Sequence, residues 1–157
     1  MTKKQIKYPV LWLTGQPGSG KTTLSNELKN IIKKDFSDRD INIMQIDGDD
    51  LRDLTQNKDY SKEGRFANIR LSQNIAHFCQ NKGYLVIVSL VAPYIELREE
   101  FKSRTSVCEI FLHTSEKRGR EHFFSKDYKK PKNNFFSIDT TNKEIRSTAN
   151  EILSIYW

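Results

Sequence analysis

Cysteine is scarce: Cys79 and Cys108 are the only two in 157 residues. They lie far apart and lack metal-ligand spacing, so they read as reduced thiols in or near the core. The three histidines, His77, His113 and His122, form no motif. His77 falls in a helical pattern and reads as a packing or surface residue. No stretch approaches the ~20 apolar residues that a membrane span needs. Met1 to Lys7 is basic and polar with no apolar run behind it, which argues against a secretory leader. No repeat and no interdomain linker interrupts the chain. These absences predict a cytoplasmic protein built as a single domain over 1–157, with residues 1–7 as a basic tail. The net charge of +6 is spread widely rather than gathered into a basic stripe interleaved with aromatics. That distribution suits small anionic molecules and argues against nucleic acid or a membrane as partner.

What is present is concentrated in Gly15-Gln16-Pro17-Gly18-Ser19-Gly20-Lys21-Thr22, followed by Thr23. Two glycines separated by four residues, then Lys and Thr, make a P-loop pattern. An apolar run, Val10 to Leu13, enters it as a buried strand. A helical pattern with Leu24, Leu28, Ile31 and Ile32 on one face leaves it. Glycines let successive N–H groups turn into one hollow, and the helix N-terminus favours an anion there. Lys21 is placed to reach the β- and γ-phosphates of ATP, and the Thr22 hydroxyl to hold Mg²⁺.

Further on, Ile41 to Ile46 alternates like a strand with one buried face. It ends in Asp47-Gly48-Asp49-Asp50-Leu51-Arg52, acidic residues at the strand end where open α/β sheets bind ligands. Ser61 is a good N-cap for a helix reaching about Asn81, with Phe66, Ile69, Ile75, Ala76 and Phe78 as its apolar positions. Tyr84 to Val91 reads as a fully buried parallel strand. A short helix from Ile95 to Lys102 and a strand from Val107 to Leu112 follow. Residues 115–134 are polar and basic, helical at first and then a mobile lid. Phe135 to Ile138 is a last strand, and Thr141-x-x-Glu144 a capping box for the closing helix. The pattern predicts an α/β, P-loop NTPase (nucleotide-kinase-like) fold: a mainly parallel five-stranded sheet with helices on both faces.

Phosphoryl transfer needs positioning and charge neutralisation more than covalent chemistry. Asp47 is the candidate base, and with Thr22 a metal ligand. Asp49 comes second, its alternative role being the N-cap of the next short helix. Arg52, Arg65 and Asn68 form a candidate clamp for the acceptor's anionic groups, since arginine's forked donors match phosphate oxygens.

Four elements, in order and approximate spacing, resemble the adenylylsulfate (APS) kinases: Trp12-Leu13-Thr14-Gly15 through Thr22, Ile46-Asp47-Gly48-Asp49-x-x-Arg52, Arg65-x-x-Asn68-Ile69-Arg70, and Ala92-Pro93-Tyr94. The resemblance implies ATP-dependent phosphorylation of the 3′-hydroxyl of a nucleotide carrying a 5′ mixed anhydride. It implies Asp47 as the catalytic acid/base, with Lys21 on the donor side. It also brings in Pro93, Tyr94 and Lys126 as acceptor-side residues; Lys126 and Tyr128 fall where the family has a KxxY-like segment of a mobile lid. Family members often dimerise, so the resemblance extends to a homodimer.

Three departures stand out. Ala92 occupies the place of the usual serine. Gly64 replaces an acidic residue. The stretch ending in an FTGID-like motif, which contacts the adenine of APS, is missing, and Lys130 to Asn134 stands in its place. The donor half matches and the acceptor half is altered. Such a combination resembles the APS-kinase-like cytidine diphosphoramidate kinases of capsular polysaccharide pathways, which makes cytidine diphosphoramidate the preferred acceptor. The alternatives are an adenylylsulfate kinase of sulfate activation, another small P-loop kinase acting on a sugar or antibiotic hydroxyl, and a non-catalytic nucleotide-binding module.

Overall fold

A computed structural model describes residues 8–157; the basic tail expected over 1–7 lies outside the described residues. Five short strands, β1 (Val10–Thr14), β2 (Ile43–Asp47), β3 (Leu85–Ser89), β4 (Val107–His113) and β5 (Phe135–Asp139), form one sheet in the order β2-β3-β1-β4-β5. Every pairing is parallel. Parallel neighbours need long crossovers, which helices supply. These are α1 (Lys21–Asp35), α2 (Gly48–Thr55), α3 (Lys62–Asn81), α4 (Ile95–Arg104) and α5 (Ile145–Tyr156).

Alternation along β1 sorts the core into two layers. Val10 and Trp12 face one cluster with Ile69 and Ala76 of α3 and Leu97 and Phe101 of α4. Leu11 and Leu13 face the other, with Leu24 and Leu28 of α1 and Ala149 and Ile152 of α5. β1 is wholly buried and central, so the turn leaving it is held on both sides.

Several local expectations are corrected. β2 is an edge strand that starts at Ile43 rather than Ile41 and is covered on both faces rather than one: Met44 and Ile46 meet the first cluster, and Ile43, with Ile41 of the preceding loop, the second. In α3, Phe78 is exposed at 62%. The buried face instead includes Gln73 and Gln80, whose amides donate to the carbonyls of Leu97 and Ser106. Ala76 and Phe78 are two residues apart and cannot share a helix face, while the glutamines on the buried face satisfy a carbonyl in the first turn of α4 and one in the loop before β4. The capping box at Thr141 does not form. Asn142 has φ 52°, incompatible with a helix running through it, and α5 starts only at Ile145. The Thr141 hydroxyl accepts instead from the Ser115 N–H. Within 115–134 the helical portion reduces to one 3₁₀ turn, Glu121–Phe123. Among the described residues, no helix is long and apolar enough to cross a membrane.

Candidate active site

The carboxyl ends of β1, β2 and β3 open into a cavity of about 830 Å³, within the usual range for small-ligand sites. One wall of it is the turn from β1 into α1. Gly15 has φ 153°, and a Cβ there would lie 2.3 Å from the Leu112 carbonyl oxygen, so the chain must be glycine to pass β4. Gly20, at φ 101°, begins α1 without a side-chain cap, which leaves the first-turn N–H groups free for an anion.

Lys21 is 9% exposed. Its ammonium donates to the Gly15 and Gln16 carbonyls, both at 2.9 Å, and to Ser19 Oγ at 3.3 Å. Burial pushes its pKa down to about 8; Asp47 opposes the shift and the Arg120 charge adds to it. A desolvated cation held inside a phosphate-shaped turn is poised for an anionic ligand. The Thr22 hydroxyl donates to Asp47 Oδ2 at 2.8 Å. This pair of hard oxygens at the turn's mouth suits a divalent cation that keeps water and phosphate oxygens as its remaining ligands. Among the described residues, no group of three or more His, Cys, Asp or Glu could form a closed metal site.

Asp47 is also the N-cap of α2, accepting from the Asp49 N–H at 2.9 Å. The capping role considered for Asp49 therefore belongs to Asp47, because the helix starts directly at Gly48.

Across the cavity, Arg52 projects from α2 with its Nη1 donating to the Asn57 and Asp59 carbonyls at 3.1 and 3.0 Å. Its guanidinium lies over the Tyr60 ring at 4.1 Å. Arg65 and Asn68 come from α3, which Ser61 caps by accepting from the Gly64 N–H. Arg65 reaches Ser125 Oγ at 3.2 Å, and Asn68 Nδ2 donates to the Gly48 carbonyl at 3.3 Å, its own Oδ1 being buried without a partner. Gly64 is glycine for a steric reason. A Cβ would lie 2.0 Å from the Asp59 carbonyl oxygen, so the 57–60 loop can rest on the helix only over a bare backbone.

The residues singled out in the sequence separate into two sets. Pro17, Gly18, Gly20 and Lys21 to Thr23 line the cavity, as do Asp47, Asp49, Arg52, Arg65, Asn68 and Pro93. Gly15, Gln16 and Ser19 form the underside of the turn; Gln16 exchanges two bonds of 2.9 Å with the Ser125 backbone. Tyr94 is 6% exposed and packs on Phe66 at 4.8 Å in the core, apart from the cavity lining. Its position before α4 turns the ring inward. Lys126 is exposed and also lies outside the lining.

Sequence reasoning passed over Arg120, His122, Phe123 and Phe124, all of which line the cavity. The signal was a basic segment broken by three adjacent rings. It also missed what anchors that segment. Tyr128, read only as part of a lid, has its Oη against Thr14 Oγ1 at 2.9 Å. Arg98, 2% exposed, donates to the Ala92 and Lys129 carbonyls and pairs with Glu109 at 3.3 Å. Lys102 joins Glu109 at 3.0 Å to the Asn133 carbonyl at 2.6 Å. Burial pushes the Glu109 carboxyl up, against the pull of Lys102 and Arg98.

Comparison with known proteins gives a consistent picture. A family model for adenylylsulphate kinase matches residues 7–144. The chain is 35% identical over 102 residues to the adenylyl-sulfate kinase of Burkholderia ambifaria, covering 64% of this chain and 54% of that protein. It is 27% identical over 135 residues to the cytidine diphosphoramidate kinase of Campylobacter jejuni, covering 83% and 77%. The Mycobacterium tuberculosis APS kinase in complex with AMPPNP and APS shares the fold, with a TM-score of 0.79 at 23% identity over 95% of this chain and 97% of that one. The chain spans about half the length of several curated relatives that it matches.

Proposed function

The chain belongs to the adenylylsulphate kinase family, and from that premise we propose that it transfers the γ-phosphate of ATP to the 3′-hydroxyl of a nucleotide bearing a 5′ mixed anhydride. One observation carries the reading: the Thr22–Asp47 pair and the Arg52, Arg65 and Asn68 groups line a single cavity. A neutral sugar acceptor would not need two arginines there.

In this reading the P-loop N–H groups and Lys21 hold the donor phosphates, and Lys21 follows the charge that develops on the transferred group. Thr22 and Asp47 would hold Mg²⁺, which neutralises phosphate charge when bound. Asp47 orients the 3′-hydroxyl and accepts its proton as the new O–P bond forms and ADP leaves. Arg52, Arg65 and Asn68 bind the acceptor's 5′ anhydride.

The preferred acceptor is cytidine diphosphoramidate. Support comes from the five-residue passage Lys130 to Asn134, where the family's adenine-contacting stretch is absent, and from the Campylobacter relative. A second reading, adenylylsulfate as acceptor, is favoured by the relatives named adenylyl-sulfate kinase. The test presents both acceptors with ATP and Mg²⁺ and determines product mass and attachment site. A 3′-phosphorylated cytidine product is expected to dominate. A dominant 3′-phosphoadenylylsulfate would transfer the assignment to the second reading. ATP binding without transfer to either acceptor would make the protein a non-catalytic nucleotide-binding module.

A further inference from the structure

The segment from Arg118 to Ser125 crosses the cavity with cations at one end and rings at the other. Arg118 donates to the Gly18 carbonyl at 3.0 Å, and Arg120 lies against Gly18, its charge felt by Lys21. That end belongs to the donor phosphates. The other end is fixed by Ser125, whose backbone is held by Gln16 and whose hydroxyl accepts from Arg65. Phe124 directly precedes this anchor, which puts it on the acceptor side.

Phe123 and Phe124 are 59% and 44% exposed, yet both line a cavity whose other walls carry Lys21, Asp47, Arg52 and Arg65. Folding alone favours burying such rings. An aromatic face beside cations is the combination that holds a nucleotide, ring to base and cation to phosphate.

Resting on the kinase reading above, we infer that Phe124, with Phe123 beside it, is the stacking surface for the base of the acceptor nucleotide. The chain thus supplies from upstream of Ser125 an aromatic that the family carries downstream, in the stretch missing here. Stacking tolerates any base, so this face sets affinity, and selection between cytosine and adenine falls to the cavity edges.

The experiment uses Phe124→Trp as a reporter and Phe124→Ala and Phe123→Ala as losses, with the donor site filled by a non-hydrolysable ATP analogue. The probes are cytidine 5′-diphosphate, adenylylsulfate and, as a base-free control, ribose 5-phosphate. Quenching of Phe124→Trp emission by a nucleotide but not by ribose 5-phosphate is expected. So is about tenfold weaker nucleotide binding in Phe124→Ala, with ribose 5-phosphate and ATP-analogue affinities unchanged. Equal weakening of ribose 5-phosphate, weakening of the ATP analogue instead, or no change would each overturn the inference. Because binding is read separately from turnover, a base-dependent loss without phosphate transfer would uphold the stacking site and remove the kinase assignment. Phosphate transfer that ignores Phe124→Ala would do the reverse.

Discussion

Gly64→Ala should destabilise this protein, although at an ordinary helix position the same change stabilises. Glycine costs about 1 kcal/mol relative to alanine in a helix interior. Gly64 is the third residue of α3 and is buried. The new methyl would lie 2.0 Å from the Asp59 carbonyl oxygen, 2.5 Å from its Cγ and 2.6 Å from its carbonyl carbon. Backbone cannot swing aside as a side-chain tip can, so residues 57–60 must lift by about 1 Å to restore ordinary contact. Overpacking of this kind costs about 1–3 kcal/mol. The Asn57 amide bond to the Gly64 carbonyl, 3.0 Å long, stretches with it and adds about 1 kcal/mol. Set against the propensity gain, the net loss is about 1–3 kcal/mol. Urea denaturation should show a lower midpoint at unchanged m, and thermal melting a fall of about 3–10 °C. The loop also carries Tyr60 and the two carbonyls that hold Arg52. The acceptor KM should therefore rise while the ATP KM stays put. A Gly64→Ala variant more stable by about 1 kcal/mol, with both KM values unchanged, would refute the steric reasoning.

Lys21 makes stability pH-dependent. Its pKa falls from 10.5 to about 8, so the folded state binds fewer protons than the unfolded state between those values. Stability should rise with pH across that window, lifting a penalty of about 3 kcal/mol present at neutrality. Lys21→Met should flatten that slope in denaturation curves at pH 7.5 and 10, and ATP affinity of the native protein should fall above pH 8. Asp47→Asn should lower kcat about a hundredfold or more, while equilibrium dialysis shows ATP still bound; unchanged kcat would move the base to Asp49. Glu109→Ala strands the buried Arg98 without its carboxylate, Lys102 keeping Glu99 at 2.8 Å, and should cost about 3–5 kcal/mol by urea denaturation; a loss under about 1 kcal/mol would mean that solvent replaces it.

The turn from β1 into α1 and the end of β2 were legible because their signals are local. A P-loop is a contiguous string, and Asp47 at the end of a β-patterned run needs no knowledge of what packs beside it. Ser61 declared the start of α3 in the same way. What could not be read depends on partners far away in sequence. Phe78 lies two residues from Ala76 and so on the other side of α3; the buried face runs through Ile69, Gln73, Ala76 and Gln80, and its two glutamines are held there by carbonyls of Leu97 and Ser106. Thr141 had the spacing of a cap, but its hydroxyl is taken by Ser115. Gly64 read as a bare departure from a family pattern until the Asp59 carbonyl explained it. Residues 115–134 read as one lid because their composition is uniform, whereas the tethers to Thr14, Arg98 and Lys102 span distances in sequence that no local window covers.

The guanidinium of Arg98 holds the carbonyls of Ala92 and Lys129 at once, so the turn after β3 and the chain beyond Tyr128 form one cooperative unit. The Lys129 N–H, which donates to the Pro93 carbonyl at 3.0 Å, should exchange with solvent only when this unit opens rather than as part of a fraying loop. A ligand that tightens the turn should slow exchange at Lys129 without touching it. A proteolytic nick after Lys129 would accordingly loosen the floor of the cavity instead of merely unhinging a cover.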